Sequence, residues 1–325
     1  MAKISASVVV PVHNGSKTIE ACLKSILGQK TGYPYEVIVV DDGSTDSTAE
    51  IVNKFKSVKL VSQRQQGPAV ARNNGAKNAK NSIVVFVDSD CIANSNWLQE
   101  MLKPLEKESI AGVQGRYKSL QKELVARLIQ LEIEQRHDKM AERKFIDFMG
   151  SFSAAYRKRV FMEMKGFDTS FPMASGEDTD LSFRIAKKGY KLFFSPKAIV
   201  AHLHPTSFRK YLKVKFYRAF WRIKVYGKHR EKVAKDSYTS QTVKVQIALV
   251  FLLALSLAAG IAIPLGFYAA ALFAALLFLS GVPFAAWAFK RDKAVGTAAP
   301  FVIMARSIVF SAGLVLGTLN QLRSR

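Results

Sequence analysis

The sequence is poor in cysteine and in acidic residues. Its two cysteines, Cys22 and Cys91, have no metal-binding spacing, which excludes a cysteine-ligated zinc motif, and we expect ordinary reduced thiols. Lysine and arginine number 48 against 25 aspartate and glutamate, which gives a formal net charge of +23. This excess of one sign is typical of a protein that meets nucleic acid or an anionic membrane surface.

Charge is nearly absent after about residue 240. Val245 to Ile263 contains one strongly polar side chain, Gln246, and Leu265 to Phe289 contains no charge. Each stretch meets the ~20 residues that cross a ~30 Å hydrocarbon core. A third stretch, Ala294 to Leu319, has the single charge Arg306. A buried hairpin of a soluble protein is the alternative, but such helices seldom run so long without charge. The predicted transmembrane helices are about 245–263, 265–289 and 297–319.

The basic residues predict the orientation of these helices. Thr206 to Lys235 holds eleven lysine or arginine residues just before the first span, and more follow the second span at residues 290–293. Such clusters favour the cytoplasmic side, where anionic lipid attracts them, so we expect membrane lipids as partners and no nucleic acid. If the third stretch also spans, the tail from Arg323 to Arg325 lies outside, against this rule. A re-entrant or interfacial third segment is the alternative.

The first apolar stretch gives no sign of a secretory signal. Ile4 to Val12 is short, and His13-Asn14-Gly15 follows it without a small-residue cleavage site. We therefore expect an integral membrane protein whose large domain is cytoplasmic.

The soluble half alternates strands with helices. Continuous apolar strands are predicted at 7–12, 36–40, 59–61 and 83–87, and helices at 16–27, 48–55 and 68–79. Strands apolar throughout indicate a mostly parallel sheet covered on both faces, an α/β fold whose ligands bind at the carboxyl ends of the strands.

Carboxylates follow two of these strands. Asp41 and Asp42 close the second, and Asp88-Ser89-Asp90 closes the fourth. Turns and helix caps also favour such residues, and for Asp46 that reading is preferred. Two carboxylates one residue apart, however, can hold a hard divalent cation against phosphate oxygens.

Five short motifs follow one another between residues 10 and 178. They are Val10-Pro11-Val12-His13-Asn14, Asp41-Asp42-Gly43-Ser44-Thr45-Asp46, Gly67-Pro68-Ala69-Val70-Ala71-Arg72-Asn73-Asn74-Gly75, Asp88-Ser89-Asp90 and Gly176-Glu177-Asp178. In this order they resemble the motifs of inverting family 2 glycosyltransferases. The resemblance covers residues 4 to about 210 and implies a Rossmann-like GT-A fold. We expect a catalytic domain at residues 1–205, basic amphipathic interface helices at 206–240 and a three-helix transmembrane domain at 241–325.

The resemblance assigns roles toward a nucleotide-sugar donor. Asp42 is expected to contact the base, Pro11 to line its pocket, and Asp88, with Ser89, to bind the ribose end. Asp90 is expected to ligate Mn²⁺ or Mg²⁺ on the diphosphate. In our interpretation, Arg72 adds a cation near the phosphates; the alternative is a surface helix residue.

The fifth motif implies the chemistry. Asp178, with Glu177 beside it, is expected to be the general base for an acceptor hydroxyl in a single inverting displacement. A capping-box role with Ser175 is a partial alternative. Because a phosphate oxygen needs no base, a hydroxyl of a polyprenyl- or dolichyl-phosphate-linked saccharide is the favoured acceptor.

Two histidines follow the next apolar run. His202 matches a family position that often carries histidine and would complete the metal shell with Asp90; His204 is the weaker candidate. Two residues apart on a strand, they would face the same crevice. A plain hydrogen-bonded strand histidine is equally compatible with the pattern.

Aromatic and basic residues alternate at helical spacing from Ser207 to Tyr226, which predicts a helix in the membrane interface. Arg218 to Trp221 partly resembles the Gln-x-x-Arg-Trp element that stacks acceptor sugar in cellulose-synthase-like members, although Lys215 stands in the glutamine position. Acceptor binding by Arg218 and Trp221 and simple anchoring both remain open.

The donor is not named by any residue. A lipid-linked glycan pathway favours mannose from GDP-mannose, with UDP-glucose and UDP-N-acetylglucosamine next. A processive synthase normally needs more spans, and a non-catalytic scaffold predicts loss of the acidic positions, all of which are present.

Overall fold

The computed structural model describes residues 4–171, 175–233 and 240–323 of the 325-residue chain. The chain forms two compact units. The first comprises Met1–Leu120 and Ile133–Leu203, and the second comprises Gln121–Glu132 and His204–Arg325. The sequence assigned residues 121–132 to the catalytic domain, whereas the structure places them in the second unit. Parts of the predicted interface region and of the basic tail, residues 234–239 and 324–325, lie outside the described residues.

The first unit is built on one eight-stranded sheet, in the order β3-β2-β1-β4-β7-β6-β8-β5. β1 pairs in parallel with β2 and β4, β2 with β3, and β6 with β8. β7 is antiparallel to both of its neighbours, and β5 is antiparallel to β8. The strands are Ala6–Val12 (β1), Tyr35–Asp42 (β2), Val58–Gln63 (β3), Ile83–Val87 (β4), Ile92–Ala93 (β5), Ile110–Lys118 (β6), Ser153–Arg157 (β7) and Lys191–Ala201 (β8).

Hydrophobic side chains cover both faces of this sheet. Along β1, Val8 and Val10 belong to one buried cluster and Val9 to the other, since successive side chains point to opposite faces. The α/β class expected from the apolar strands is thereby confirmed. The helices from the amino-terminal part are α1 (Ile19–Leu27), α2 (Thr48–Asn53), α3 (Pro68–Asn78), α4 (Trp97–Leu102), α5 (Leu124–Ala141), α6 (Lys158–Glu163) and α7 (Glu177–Lys187).

The second unit is helical. The first part of α5 packs in it, where Leu128 and Leu131 join a cluster with Tyr211, Ala288 and Val295. This apolar contact is the reason that residues 121–132 leave the first unit. The remaining helices are α8 (Phe208–Lys228), α9 (Gln241–Gly260), α10 (Leu265–Leu279), α11 (Val282–Phe289) and α12 (Lys293–Arg323).

Among the residues that the structure describes, three segments of the second unit are long and apolar enough to cross a membrane. They are Gln241–Gly260, Leu265–Phe289 and Lys293–Arg323. α10 and α11 together form the second segment, and the two residues between them, Ser280 and Gly281, keep helical dihedrals. The predicted apolar helices are therefore present, each with somewhat different bounds.

Candidate active site

The carboxyl ends of β1, β2 and β4 meet at one edge of the sheet. Val12, the last residue of β1, is in register with Asp41 near the end of β2. β4 lies on the other side of β1 and ends at Val87, directly before Asp88. Parallel pairing therefore brings the first, second and fourth motifs together, as expected for this class of sheet.

Asp42 is buried and fixes the turn that leads into α3. Its Oδ1 accepts from Gln63 Nε2 at 2.7 Å and from the Gln66 N–H at 2.8 Å, and its Oδ2 accepts from the Gly67 N–H at 2.7 Å. Gly67 has φ of 94°, a conformation that glycine adopts without steric cost. The contacts of Gln63 and Gln66 with Asp42 were not predicted, because neither glutamine belongs to one of the five motifs. The expected contact of Asp42 with a nucleotide base stays a prediction.

Pro11 and Ser89 border the same edge. Pro11 is buried in β1 opposite Val40 and has no backbone N–H to donate. Ser89 is half-buried, and a Cβ built on Gly15 would lie 3.6 Å from its Oγ, so it faces the loop that follows β1. Their expected roles at the base and ribose remain predictions.

Arg72 is the buried centre of the site. Its guanidinium donates from Nη2 to Asp88 Oδ1 at 2.7 Å and from Nη1 to Glu177 Oε1 at 3.4 Å. The guanidinium carbon also lies 5.8 Å from the Phe167 ring centroid. The side chain is 4% exposed, so the alternative of a surface helix residue is wrong. Arg72 therefore joins the fourth and fifth motifs, which are far apart in the sequence.

Glu177 and Asp178 begin α7, where acidic residues complement the positive end of the helix dipole. Glu177 is buried, and its pKa is raised to about 7, first by desolvation and then by the charge of Asp178, while Arg72 opposes the shift. Its Oε2 has no hydrogen-bond partner among the described residues. Asp178 is half-buried and its Oδ1 accepts from the Thr179 N–H at 2.6 Å. A carboxylate of intermediate exposure thus sits beside one held out of water.

The capping-box alternative at α7 does not hold. The residue at the N-cap is Gly176, with φ of 114°, and it has no side chain that could cap the helix. Ser175 lies one position too early for that role, because α7 starts at Glu177. The local contact of Asp178 at the start of α7 is instead with the Thr179 N–H.

Asp90 and His202 come together at the end of β8. Asp90 Oδ2 lies 3.2 Å from His202 Nε2, and the two side chains are 41% and 18% exposed. The His202 ring lies 4.8 Å from the Tyr117 ring, which stacks on Phe152 at 3.4 Å. Sequence reasoning found the histidine but not this aromatic support on β6.

These two groups fit a divalent cation only in part. A carboxylate oxygen and an imidazole nitrogen are both suitable ligands for Mn²⁺, and Mg²⁺ sites often combine one carboxylate with substrate phosphates. Within the part of the chain that the structure describes, no group of three or more histidine, cysteine or acidic residues is arranged to hold a metal. Phosphate oxygens of a bound nucleotide would have to complete the shell.

His204 has a different environment from His202. β8 ends at Ala201, so the two histidines are not alternate positions of one strand. His204 is buried in the second unit, with Nε2 2.9 Å from Gln130 Oε1, and its backbone N–H donates to Gln121. The expectation that both histidines point into one crevice from a strand is wrong, because the strand ends before them.

Trp221 and Arg218 also belong to the second unit. Both lie on α8, which confirms the predicted helix; Arg218 is exposed, and the Trp221 ring lies 5.1 Å from the Phe220 ring. Lys215, at the glutamine position of the partial motif, donates from Nζ to Glu132 Oε2 at 2.7 Å. Acceptor binding by Trp221 and Arg218 stays a prediction.

Cys22 and Cys91 lie in the core beneath the fourth motif. Both are free and buried, and the Cys22 thiol donates to the Asp88 carbonyl at a sulfur–oxygen distance of 3.6 Å. Burial raises the pKa of both thiols, and the charges of Asp88 and Asp90 add to the effect. Both therefore remain protonated thiols, as the sequence indicated.

Comparison with known proteins agrees with this geometry. Residues 7–165 match the family described as Glycosyl transferase family 2. The chain contains a family 2 glycosyltransferase domain. Its fold is that of the mannosyltransferase PcManGT from Pyrobaculum calidifontis, solved in complex with GDP-Man and Mn²⁺, with a TM-score of 0.61 at 22% identity over 98% of this chain and 87% of that one.

Two curated relatives show how far the sequence similarity reaches. The pre-mycofactocin glycosyltransferase of Mycobacterium tuberculosis is 30% identical over 215 residues, which are 63% of this chain and 44% of the relative. Glycosyltransferase AglE of Haloferax volcanii is 27% identical over 208 residues, which are 60% of this chain and 66% of the relative. The chain thus matches less than half of the length of the first relative. The aligned part of this chain includes its family 2 domain but not its whole length.

Proposed function

We propose that this chain is a membrane-bound, metal-dependent, inverting glycosyltransferase. It transfers a sugar from a nucleotide-sugar donor to a hydroxyl of a polyprenyl- or dolichyl-phosphate-linked saccharide. The observation that most supports this proposal is that Arg72 contacts both Asp88, at the end of β4, and Glu177, which precedes Asp178. This contact places the fourth motif, which is proposed to bind the donor, beside the fifth, which is proposed to supply the base.

GDP-mannose is the proposed donor. The support is the shared fold with a mannosyltransferase solved with GDP-Man and Mn²⁺. Asp42, Pro11 and the Asp88-Ser89 pair are proposed to hold the nucleoside, since they line the edge of the sheet where α/β proteins bind nucleotides. UDP-glucose and UDP-N-acetylglucosamine are the donors to compare.

Asp90 and His202 are proposed to hold the cation. Their ligand atoms are adjacent and both side chains are partly exposed, so a diphosphate has access to the pair. A bound Mn²⁺ or Mg²⁺ would offset the negative charge that develops on the leaving nucleoside diphosphate.

Asp178 is proposed as the general base. The acceptor oxygen bonds to the anomeric carbon, the carbon–oxygen bond to the diphosphate breaks with its electron pair, and the hydroxyl proton passes to Asp178. Glu177 is buried against Arg72 and is proposed to position that arginine rather than to take the proton. One displacement without an enzyme-bound intermediate inverts the configuration.

The catalytic unit is proposed to face the cytoplasm. Clusters of lysine and arginine precede the first apolar helix and follow the second, and such clusters favour the cytoplasmic side of a membrane. Nucleotide sugars made in the cytoplasm would then reach the donor site directly.

The test separates donor binding from transfer in the purified, detergent-solubilised chain. GDP-mannose, UDP-glucose and UDP-N-acetylglucosamine are titrated with and without Mn²⁺, and transfer is measured to a lipid-linked saccharide and to the lipid phosphate alone. Asp178→Asn should keep donor affinity within about twofold but lower transfer by about 100-fold or more, since a general base contributes that much. Asp90→Asn should weaken the Mn²⁺-dependent part of donor binding.

Asp138→Asn is the matched control, because Asp138 is a partly exposed carboxylate of the same unit that pairs with Arg116. It should leave both measurements unchanged. If Asp178→Asn transfers sugar as well as Asp138→Asn, Asp178 is not the base. If none of the three donors binds, the proposed activity is wrong.

A further inference from the structure

Helices α8 and α12 of the second unit pack closely, side by side and in the same direction. A Cβ built on Gly313 would lie 2.5 Å from the Phe216 carbonyl oxygen, so only glycine allows this approach. Residue numbers rise together along the two helices, which makes them parallel from residue 216 to 227 of α8. The contacting pairs are Gly313 with Phe216, Gly317 with Phe220 and Gln321 with Gly227.

The sequence of α8 is unsuited to hydrocarbon. It contains eight lysine or arginine residues and no acidic residue. Cations on a lipid-facing helix must shed water or reach the headgroups, so such a helix lies in the interface and not across the bilayer. The exposed ones among the described residues of α8 are Arg209, Lys210, Lys213, Arg218 and Lys228.

The second half of α12 shares the depth of α8 because their backbones touch. If the second half of α12 entered the hydrocarbon core, the basic helix α8 would have to enter it as well. Its own exposed side chains are apolar, including Val315, Leu316, Leu319 and Leu322. A basic helix paired with an exposed apolar one is a suitable surface for the boundary between headgroups and acyl chains.

Arg306, near the middle of α12, lies near the amino end of α9 and beside the junction of α10 with α11. Its Nη2 donates to Gln246 Oε1 at 2.6 Å, and Gln246 Nε2 donates to Ser280 Oγ at 3.1 Å. Gln246 is in the second turn of α9, and Ser280 follows the last residue of α10. This polar layer therefore joins α12 to the amino-terminal part of α9, the helix that follows α8 in the chain, and to the α10–α11 junction.

The charge of Arg306 is neutralised within the second unit. Its Nη1 donates to Glu132 Oε1 at 2.7 Å, and Lys215 of α8 donates to Glu132 Oε2 at 2.7 Å. Tyr211 of α8 adds a hydroxyl bond to the same carboxylate at 3.1 Å. The single charge of the third apolar stretch thus joins α12 to α5 and α8 at the level where α8 begins.

We infer that α8 and the second half of α12 lie together in the membrane interface, and that the chain crosses the bilayer twice, through α9 and through α10 with α11. Residue 323 then lies on the same side as α8. The third apolar segment, Lys293–Arg323, is long enough to span the bilayer, but its packing against the basic helix α8 prevents it from doing so. The basic tail no longer conflicts with the preference of lysine and arginine for one side.

Thiol labelling of the full-length chain in intact cells tests this topology. Single cysteines are introduced as Lys228→Cys at the end of α8, Asn320→Cys on α12 and Ile263→Cys between α9 and α10, all at exposed positions. A membrane-impermeant maleimide is added before and after the membrane is permeabilised. The parent chain is the control, since Cys22 and Cys91 are buried and their raised pKa values keep them unreactive.

Lys228→Cys and Asn320→Cys should react under the same condition, and Ile263→Cys under the opposite one. The inference is overturned if Asn320→Cys reacts together with Ile263→Cys, because α12 then spans. It is also overturned if Asn320→Cys reacts under neither condition, since the residue then lies in hydrocarbon. Thr318→Cys, also exposed and two residues earlier on α12, repeats the test if Asn320→Cys does not accumulate.

Discussion

Arg72 Nη2 donates to Asp88 Oδ1 at 2.7 Å and so ties helix α3 to the end of β4. The guanidinium is almost fully buried, whereas the Asp88 side chain is 28% exposed. The buried Arg72 guanidinium therefore holds the partly exposed Asp88 carboxylate in place. This contact and the weaker one to Glu177 hold the proposed donor site in one arrangement.

Replacing Arg72 should damage both stability and donor binding. Arg72→Met leaves Glu177 buried without its cation, and breaking a buried ion pair in this way costs about 3 kcal/mol or more of unfolding free energy. Arg72→Lys should retain part of the stability, but its single ammonium group cannot replace the two guanidinium nitrogens that contact Asp88 and Glu177. Thermal unfolding in detergent and donor titration measure the two effects, and a fully stable Arg72→Met variant would contradict the assigned role.

The raised pKa of Glu177 predicts a pH-dependent stability. Its folded pKa of about 7 exceeds the ordinary 4.5, so the folded state binds the proton more tightly and stability falls as pH rises from about 5 to 7. The loss reaches about 3 kcal/mol above pH 7. Glu177→Gln should remove this part of the pH dependence in denaturant unfolding series. An unchanged pH profile in the variant would assign the dependence to another group.

Asp42→Asn should loosen the turn before α3. The carboxylate accepts three hydrogen bonds, and an amide nitrogen in place of one oxygen would face a donor. An unmet buried donor costs about 1–3 kcal/mol, which calorimetry will detect. Asp46→Asn is the control, because this carboxylate also accepts from backbone N–H groups, those of Ser16 and Thr48, but is exposed, so that water can replace the lost contacts and the cost should be smaller. Equal losses in the two variants would show that the buried contacts of Asp42 are not special.

Glu132 and Arg306 should behave as a coupled pair. Glu132→Gln leaves the buried Arg306 guanidinium without its counter-charge and should lower the unfolding temperature in detergent. Arg306→Gln alone should do the same, and the double variant should lose less than the sum of the two. Additive losses would mean that the 2.7 Å contact contributes nothing of its own.

Several features of the site follow from local pattern. The apolar runs of β1, β2 and β4 gave the strands, and parallel pairing of such runs places the residues after them at one edge. The contact of Asp90 with His202 was expected from the family motif and is present in the structure. The aromatic support from Tyr117 and the glutamine contacts to Asp42 had no such pattern.

By itself, the sequence determined the α/β class, the order of the motifs and the three apolar segments, because periodicity and composition are local properties of the chain. The tertiary structure decided that Arg72 is buried between Asp88 and Glu177, that residues 121–132 pack in the second unit, and that α12 runs against α8. These are contacts between residues distant in sequence. They depend on which buried charges pair and on which helices approach closely at glycine, and no local sequence pattern determines either.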